Sequence, residues 1–447
     1  MESQQESASI ARGFVTGVSA DAVVVVSALA LTVIIARILG PDGRGVYFLA
    51  VLSGTFAAII GEFGSSAAAI TFASNRDKAL PRLHGAMVGI CAASGVIAFA
   101  ILVGGEKLWT ATILPGLNTE ILVLVAATTP LLVYVQISSA LLAGLGRVPL
   151  LALVRTISAL VAPLVSLLLL WWHATPFFAV LAWTVMNMAS ACAMGVLVVR
   201  AGAGLQSAAR ADVKRVLSFG LKAQVGTLAH YGFLRLDVLF ISGFLGTAAV
   251  GYYSLASQLA ERLTLATGAL YNASAAQIGG SARPVAAKLT TRVVRLTLLV
   301  LLPVTVLMGV LGIFAIPLLY GDEFRASVTP FILLLPGVLC LAVWYIVGLF
   351  LIANFKRPGL TTRIQLIGLV ASVPLYLIVV NLFEMNGAAA ASSAIYFFIA
   401  LLGCLSFRRI TGLPLNSFLP RPADLRYTWA RAAGEMRTLL GKRARAT

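Results

Sequence analysis

Long, nearly uncharged apolar runs recur along the whole chain, near 14–36, 46–73, 84–104, 119–143, 149–172, 176–199, 219–242, 248–275, 292–318, 327–353, 360–382 and 387–407. One helix needs about 20 apolar residues to cross the hydrocarbon core of a bilayer, and each run meets that length. Membrane β-strands would instead read as short alternating segments. With 60% hydrophobic and only 11% charged residues, the chain has too little polar surface for an ordinary soluble domain. The expected fold is all-α and polytopic, with about 12 transmembrane helices.

The chain also repeats itself. Leu39, Gly40, Gly45, Tyr47, Leu49 and Ala50 recur as Leu245, Gly246, Gly251, Tyr253, Leu255 and Ala256, six identities within twelve positions. A second pair lies at nearly the same offset: L-L-A-G-L-G-R at 141–147 and L-I-A-N-F-K-R at 351–357. Such self-similarity is the mark of a duplicated unit. The resulting organisation is an N-terminal segment, 1–13; a first six-helix lobe, 14–199; a linker, 200–218; a pseudo-symmetric second lobe, 219–407; and a basic tail, 408–447.

Twelve crossings place both ends on one side, and the distribution of Lys and Arg tests that placement. With the ends inside, inward segments carry 24 of the 33 basic residues, whereas outward loops carry only Arg37, Arg44, Lys107 and Arg325. This asymmetry predicts that both termini are cytoplasmic. It also accounts for the net charge of +17 without a nucleic-acid partner. The N-terminus is polar and lacks the basic region and cleavage site of a signal peptide. In the tail, Leu425, Trp429, Ala432, Met436 and Leu440 recur at helical spacing among basic residues. That pattern suits either a helix lying on an anionic leaflet or a solvated basic tail.

Polar residues within apolar segments usually face a bundle interior or a wet cavity. In the seventh segment Gln224, Thr227, Tyr231 and Arg235 form one stripe, with His230 and Asp237 beside it. Arg235 and Asp237, two residues apart, do not face each other, so Asp237 is expected to pair with a group on another helix. In the eighth segment Ser254, Ser257, Glu261, Thr264, Gly268 and Tyr271 share a face, with Arg262 adjoining Glu261. Asp21 and Glu62 are carboxylates in the first and second segments and candidates for coupling to an ion. Arg155 and Arg295 lie close enough to the inner ends to snorkel. Each of these groups also fits an interhelical pair; their concentration on corresponding segments of the two repeats favours a shared cavity.

Catalytic constellations are missing from the sequence: there is no Gly-rich phosphate loop with its Lys and no His-Glu-x-x-His. Cys91, Cys192, Cys340 and Cys404 stand singly in apolar runs and read as small packing residues. Asp322-Glu323 reads as a solvated turn. No enzyme activity, cofactor or metal is expected.

The order Arg235, Asp237, Leu245, Gly246, Gly251, Tyr253, Ala256, Glu261 resembles the R-x-D and following L-G-x-x-x-x-G-x-Y-x-x-A-x-x-x-x-E of Wzx-type oligosaccharide flippases. These belong to the multidrug/oligosaccharidyl-lipid/polysaccharide (MOP) exporter superfamily. Ala36–Tyr47, Leu319–Phe324 and the small-residue run Gly387–Ala391 are similar to further landmarks of that family. The resemblance implies a V-shaped pair of six-helix lobes around a cationic cavity that opens alternately to each side. It implies a polyprenyl-diphosphate-linked oligosaccharide as cargo, with membrane lipids and other polysaccharide assembly proteins as partners. An intramembrane Arg suits a diphosphate through charge-assisted hydrogen bonds. A cation-coupled multidrug exporter of the same superfamily is the alternative, and a polysaccharide polymerase or glycosyltransferase is a more distant one.

Overall fold

The computed structural model describes residues 2–421, with side chains from Val23 onward. The proposed tail helix at 425–440 and the side chain of Asp21 lie outside the described residues. Every regular element within them is helical: α1 (Glu2–Gly61), α2 (Ser65–Ser74), α3 (Leu80–Leu102), α4 (Glu106–Thr112), α5 (Thr119–Gly144), α6 (Val148–Trp172), α7 (Pro176–Arg200), α8 (Arg210–Ala260), α9 (Leu263–Gly280), α10 (Arg283–Tyr320), α11 (Val328–Leu349) and α12 (Pro358–Thr411). Short 3₁₀ turns cover Asp322–Ser327 and Leu415–Phe418, and a π-turn covers Phe350–Asn354.

Three of these helices are long enough for two crossings. At 1.5 Å per residue, the 60 residues of α1 would extend about 90 Å, roughly three hydrocarbon thicknesses. Each long helix contains one non-helical residue that bends it: Gly40 in α1 (φ 67°, ψ −175°), Gly246 in α8 (φ 80°, ψ −172°) and Glu384 in α12 (φ 51°, ψ −140°). Among the described residues, nine spans are long and apolar enough to cross a membrane. With three of them bent, they are compatible with twelve crossings. Gly40 and Gly246, matched in the sequence repeat, thus adopt nearly the same conformation, one that favours glycine because it lacks a Cβ.

Buried tyrosine hydroxyls bridge two of the bent helices. Tyr253 donates to Asp237 Oδ2 at 2.5 Å across the α8 bend, and Tyr376 lies 2.9 Å from Ser392 Oγ across the α12 bend. Both bridges join residues 16 positions apart. Where buried in an apolar setting, each polar group needs such a partner.

The helices group into two compact units, Met1–Leu255 with Ile316–Ala326, and Ala256–Ala315 with Ser327–Thr447. In the first, α5 packs against α1, α2, α3 and α7, around a core that includes Leu83, Met87, Val133, Ile137, Leu141, Met194 and Val216. In the second, α11 packs along α12 and against α9. Its core includes Ile278, Val294, Ile346, Phe350, Phe407 and Phe418. Elsewhere Trp171 and Trp172, 85% and 78% exposed, end α6 as aromatic residues commonly end a membrane helix at the headgroup level.

Two expected helices are interrupted. The second apolar segment breaks at 62–64, where Phe63 and Gly64 take positive φ (47° and 70°). The eighth breaks at Glu261–Arg262. The loop expected after α3 contains the short helix α4.

Candidate functional site

The repeated loops meet within the first unit. A Cβ on Gly45 would collide with the Thr247 carbonyl, and a Cβ on Gly251 would collide with the Pro41 carbonyl. Pro41 and Thr247 are counterparts in the repeat, as are Gly45 and Gly251, so the contact is reciprocal. It requires two glycines because only a bare Cα permits backbone to approach this closely.

Polar groups seal the contact. Arg44, only 2% exposed, donates from Nη1 to Gly251 O (2.6 Å) and Ser254 Oγ (2.7 Å). Thr247 Oγ1 donates to Asp42 Oδ1. Arg37 donates to Leu319 O (2.8 Å) and Leu318 O (2.6 Å), and Thr32 lies 3.1 Å from Tyr320 Oη. Charge-assisted bonds of this kind are the stronger ones in proteins. Sequence reasoning placed Arg44 among outward-loop charges and missed this role; the nearby Gly45–Gly251 match was the available signal.

The expected site residues fall in several places. Asp237 is buried, and besides Tyr253 it accepts the Val238 N–H at 2.8 Å; the partner sought on another segment is the Tyr253 hydroxyl. Arg235 is half-buried, Tyr231 is exposed, and the His230 ring packs edge-on against Tyr231 and Phe233. Gln224 is buried and donates to Ile59 O, one turn before the break in the second segment. There Glu62, 5% exposed, accepts from Ser66 Oγ at 2.7 Å. The break fits against α8, since a Cβ on Gly64 would meet the Gly220 carbonyl. Arg155 is exposed. Arg295 donates to Ser417 O at 3.0 Å. Glu261 and Arg262 belong to the second unit, both partly buried, at the α8–α9 break.

A cavity of about 260 Å³ lies in the first unit, lined by Phe56, Ile60, Phe63, Ile97, Trp109 and Leu239 among others. None of the expected site residues lines it, and its walls are almost entirely apolar. It suits a hydrocarbon guest, not a phosphate. Among the described residues no group of His, Cys, Asp and Glu is arranged to hold a metal.

Residues 13–275 match the sequence model of a family described as polysaccharide biosynthesis protein. The chain belongs to that family. The match spans the repeated loops, the Arg44 contact and the Asp237–Tyr253 bridge. The fold is that of MOP superfamily transporters. The lipid II flippase MurJ, in an inward closed conformation, superposes with a TM-score of 0.73 at 14% identity, over 90% of this chain and 89% of that one. An inward-facing multidrug resistance MATE family transporter gives 0.69 at 13% identity, over 86% and 94%. A MOP superfamily transporter from Pyrococcus furiosus gives 0.55 at 14% identity, over 88% and 93%. No curated protein sequence matches the chain. The members of this fold named here are transporters and a flippase, and the protein is a multi-pass membrane protein.

Proposed function

We propose that this protein is a Wzx-type flippase. In this reading it moves a polyprenyl-diphosphate-linked oligosaccharide across the bacterial cytoplasmic membrane by alternating access between two six-helix lobes, with both termini cytoplasmic. The observation that carries the reading is the pairing of polysaccharide biosynthesis family membership with a transporter fold. Inverted or parallel repeats are the usual basis of such rocking motions. Arg235, with Gln224, His230, Tyr231, Asp237, Glu261, Arg262 and Arg155 as the wider candidate set, is assigned to the cargo. A guanidinium can grip a diphosphate through paired hydrogen bonds. The protein does not alter the cargo covalently, and other polysaccharide assembly proteins act before and after it.

The test uses purified protein in liposomes holding a lipid-linked oligosaccharide in one leaflet. The expected result is protein-dependent appearance of the same, chemically unchanged lipid in the other leaflet. A covalently changed product would move the assignment to a polymerase or transferase.

Glu62 favours a second reading. A buried carboxylate at a helix break is a fitting place to bind H⁺ or Na⁺, as a cation-coupled multidrug exporter requires; Asp21 is the other candidate for that role. Cation-dependent efflux of a drug, without movement of the lipid-linked sugar, would select it.

A further inference from the structure

The second unit has a cationic recess at the end that the Lys/Arg distribution assigns to the cytoplasm. From Leu263 to Gly321, and again from Phe324 to Phe383, the sequence contains no Asp or Glu. Arg283, Lys356, Arg357 and Arg363 therefore have no acid close to them in sequence, and among the described residues none of them forms an ion pair with an acid. The first unit differs: there Arg215 meets Asp77 at 2.5 Å.

Local structure brings these cations together. The helical run of α11 ends in the π-turn Phe350–Asn354, a feature often found at functional positions. Asn354 Nδ2 then donates to Ile278 O and Ser281 O, each at 2.9 Å, which fixes the α9–α10 connection beside the turn. Lys356 takes a positive φ of 54° and turns the chain into α12. As a result two guanidinium groups share the Phe355 ring, Arg283 at 5.0 Å and Arg357 at 5.3 Å from its centroid. Each contact is favourable alone, but two like charges on one ring repel, and an anion between them relieves that repulsion. Arg357, Gly359, Leu360 and Arg363 line a recess of about 270 Å³ at this place.

The neighbouring surface points to the kind of anion. Arg363, Ile367 and Val370 follow one another along one face of α12 at helical spacing, and Ile367 and Val370 are 50% and 69% exposed. A cationic recess continued by an exposed apolar stripe matches a phosphate headgroup continued by acyl chains. A free phosphate would use only the recess. We infer that Arg357 and Arg363, supported by Arg283 over Phe355, form a binding site for the headgroup of an anionic phospholipid of the inner leaflet. The inference is independent of what the protein transports.

The experiment takes the purified full-length chain, stripped of lipid in neutral detergent, and counts retained lipid by native mass spectrometry. Phosphatidylglycerol, phosphatidylcholine and a polyprenyl diphosphate are the three probes. Phosphatidylglycerol is expected to remain bound, and phosphatidylcholine is not. In the double variant Arg357→Gln, Arg363→Gln, phosphatidylglycerol binding should weaken about thirtyfold, as for two cations removed from an anionic surface. The Lys pair at the same positions should keep most of the binding, and Arg408→Gln with Arg409→Gln should leave it unchanged. Should the Gln pair not fold, Arg363→Gln alone, at an exposed position, still loses several-fold. Equal retention by the Gln and parent proteins would overturn the inference. Retention of the diphosphate lipid alone would also overturn it and give the recess to the cargo.

Discussion

Tyr253 and Asp237 face each other across the bend of α8, and the phenol donates to the carboxylate at 2.5 Å with both residues buried. Removing the hydroxyl deprives a buried anion of a donor, which costs about 1.5–3 kcal/mol for a bond to a charged group. Tyr253→Phe should therefore lower the thermal unfolding temperature measurably in detergent. Tyr47, its counterpart in the first repeat, makes no such bond to a carboxylate among the described residues, and Tyr47→Phe should cost less. Equal losses in the two variants would show that the Asp237 bond is not the source.

Gly45→Ala and Gly251→Ala should each destabilise the protein by at least the ~1–3 kcal/mol typical of overpacking, because the obstructing atoms are backbone. A Cβ on Gly89 in α3 would have nothing within 4 Å, so Gly89→Ala should be neutral or slightly stabilising. The Gly45 and Gly251 effects should not add, since both disturb one contact. Protein level and unfolding temperature of the three single variants and the double variant provide the check.

Asp77 lies between α2 and α3. The Ala79 N–H, at 2.9 Å, is the largest cause holding its carboxyl below the ordinary carboxylate range; burial opposes it, and Arg215 adds to the lowering. A pKa lower in the folded state gives stability above the unfolded pKa, lost as pH falls through the folded one. Asp77→Asn should thus be less stable than the parent at neutral pH, and the difference should close only on the acid side of the usual carboxylate range. Arg215→Gln should have the smaller effect, because the backbone bond remains. Unfolding temperatures across that pH interval decide the matter. A gap unchanged at acid pH would contradict it.

The charge distribution predicts that cysteines placed at Lys107 and Arg283, in a background lacking the four native cysteines, label from opposite sides of the membrane. Labelling of both from one side would break the twelve-crossing topology.

Arg235→Ala should abolish transport of a diphosphate-linked sugar, while Arg235→Lys keeps the charge, loses the planar fork and retains part of the activity. Protein level must be measured with transport, because breaking a buried ion pair costs roughly 3–5 kcal/mol and lost protein would imitate lost function. Neutral double variants with Asp237 or Glu261 separate the two effects. Recovery of both level and transport in a double variant would make Arg235 a structural partner.

Much of this architecture was legible in the sequence because membrane helices announce themselves by length and apolarity. Gly40 and Gly246 were found as a repeated pair, and they do share a conformation that L side chains avoid. The breaks at 62–64 and 261–262 were not legible. Glu62-Phe63-Gly64 reads as part of a continuous apolar segment, and its fit to Gly220 joins residues far apart in sequence. The α12 bend falls at Glu384, within the gap expected between the apolar runs 360–382 and 387–407. Gly387, just beyond it, is needed for packing, since a Cβ there would press on Val379 and Phe383. For the site, the polar stripe of the seventh segment could be read from spacing, but depth and partners could not. Asp237 is buried while Tyr231, on the same helix, is exposed.

The reciprocal loop contact also sets an order in time. Pro41 and Gly45 leave the ribosome 206 residues before Thr247 and Gly251. At 5–20 residues per second that is a delay of about 10–40 s. Throughout this interval Arg44 lacks both the Gly251 carbonyl and the Ser254 hydroxyl that receive it in the finished protein. The first half of the chain is therefore born with an open seam that only the second half can close, and a fragment ending after α7 would carry that seam for its whole lifetime.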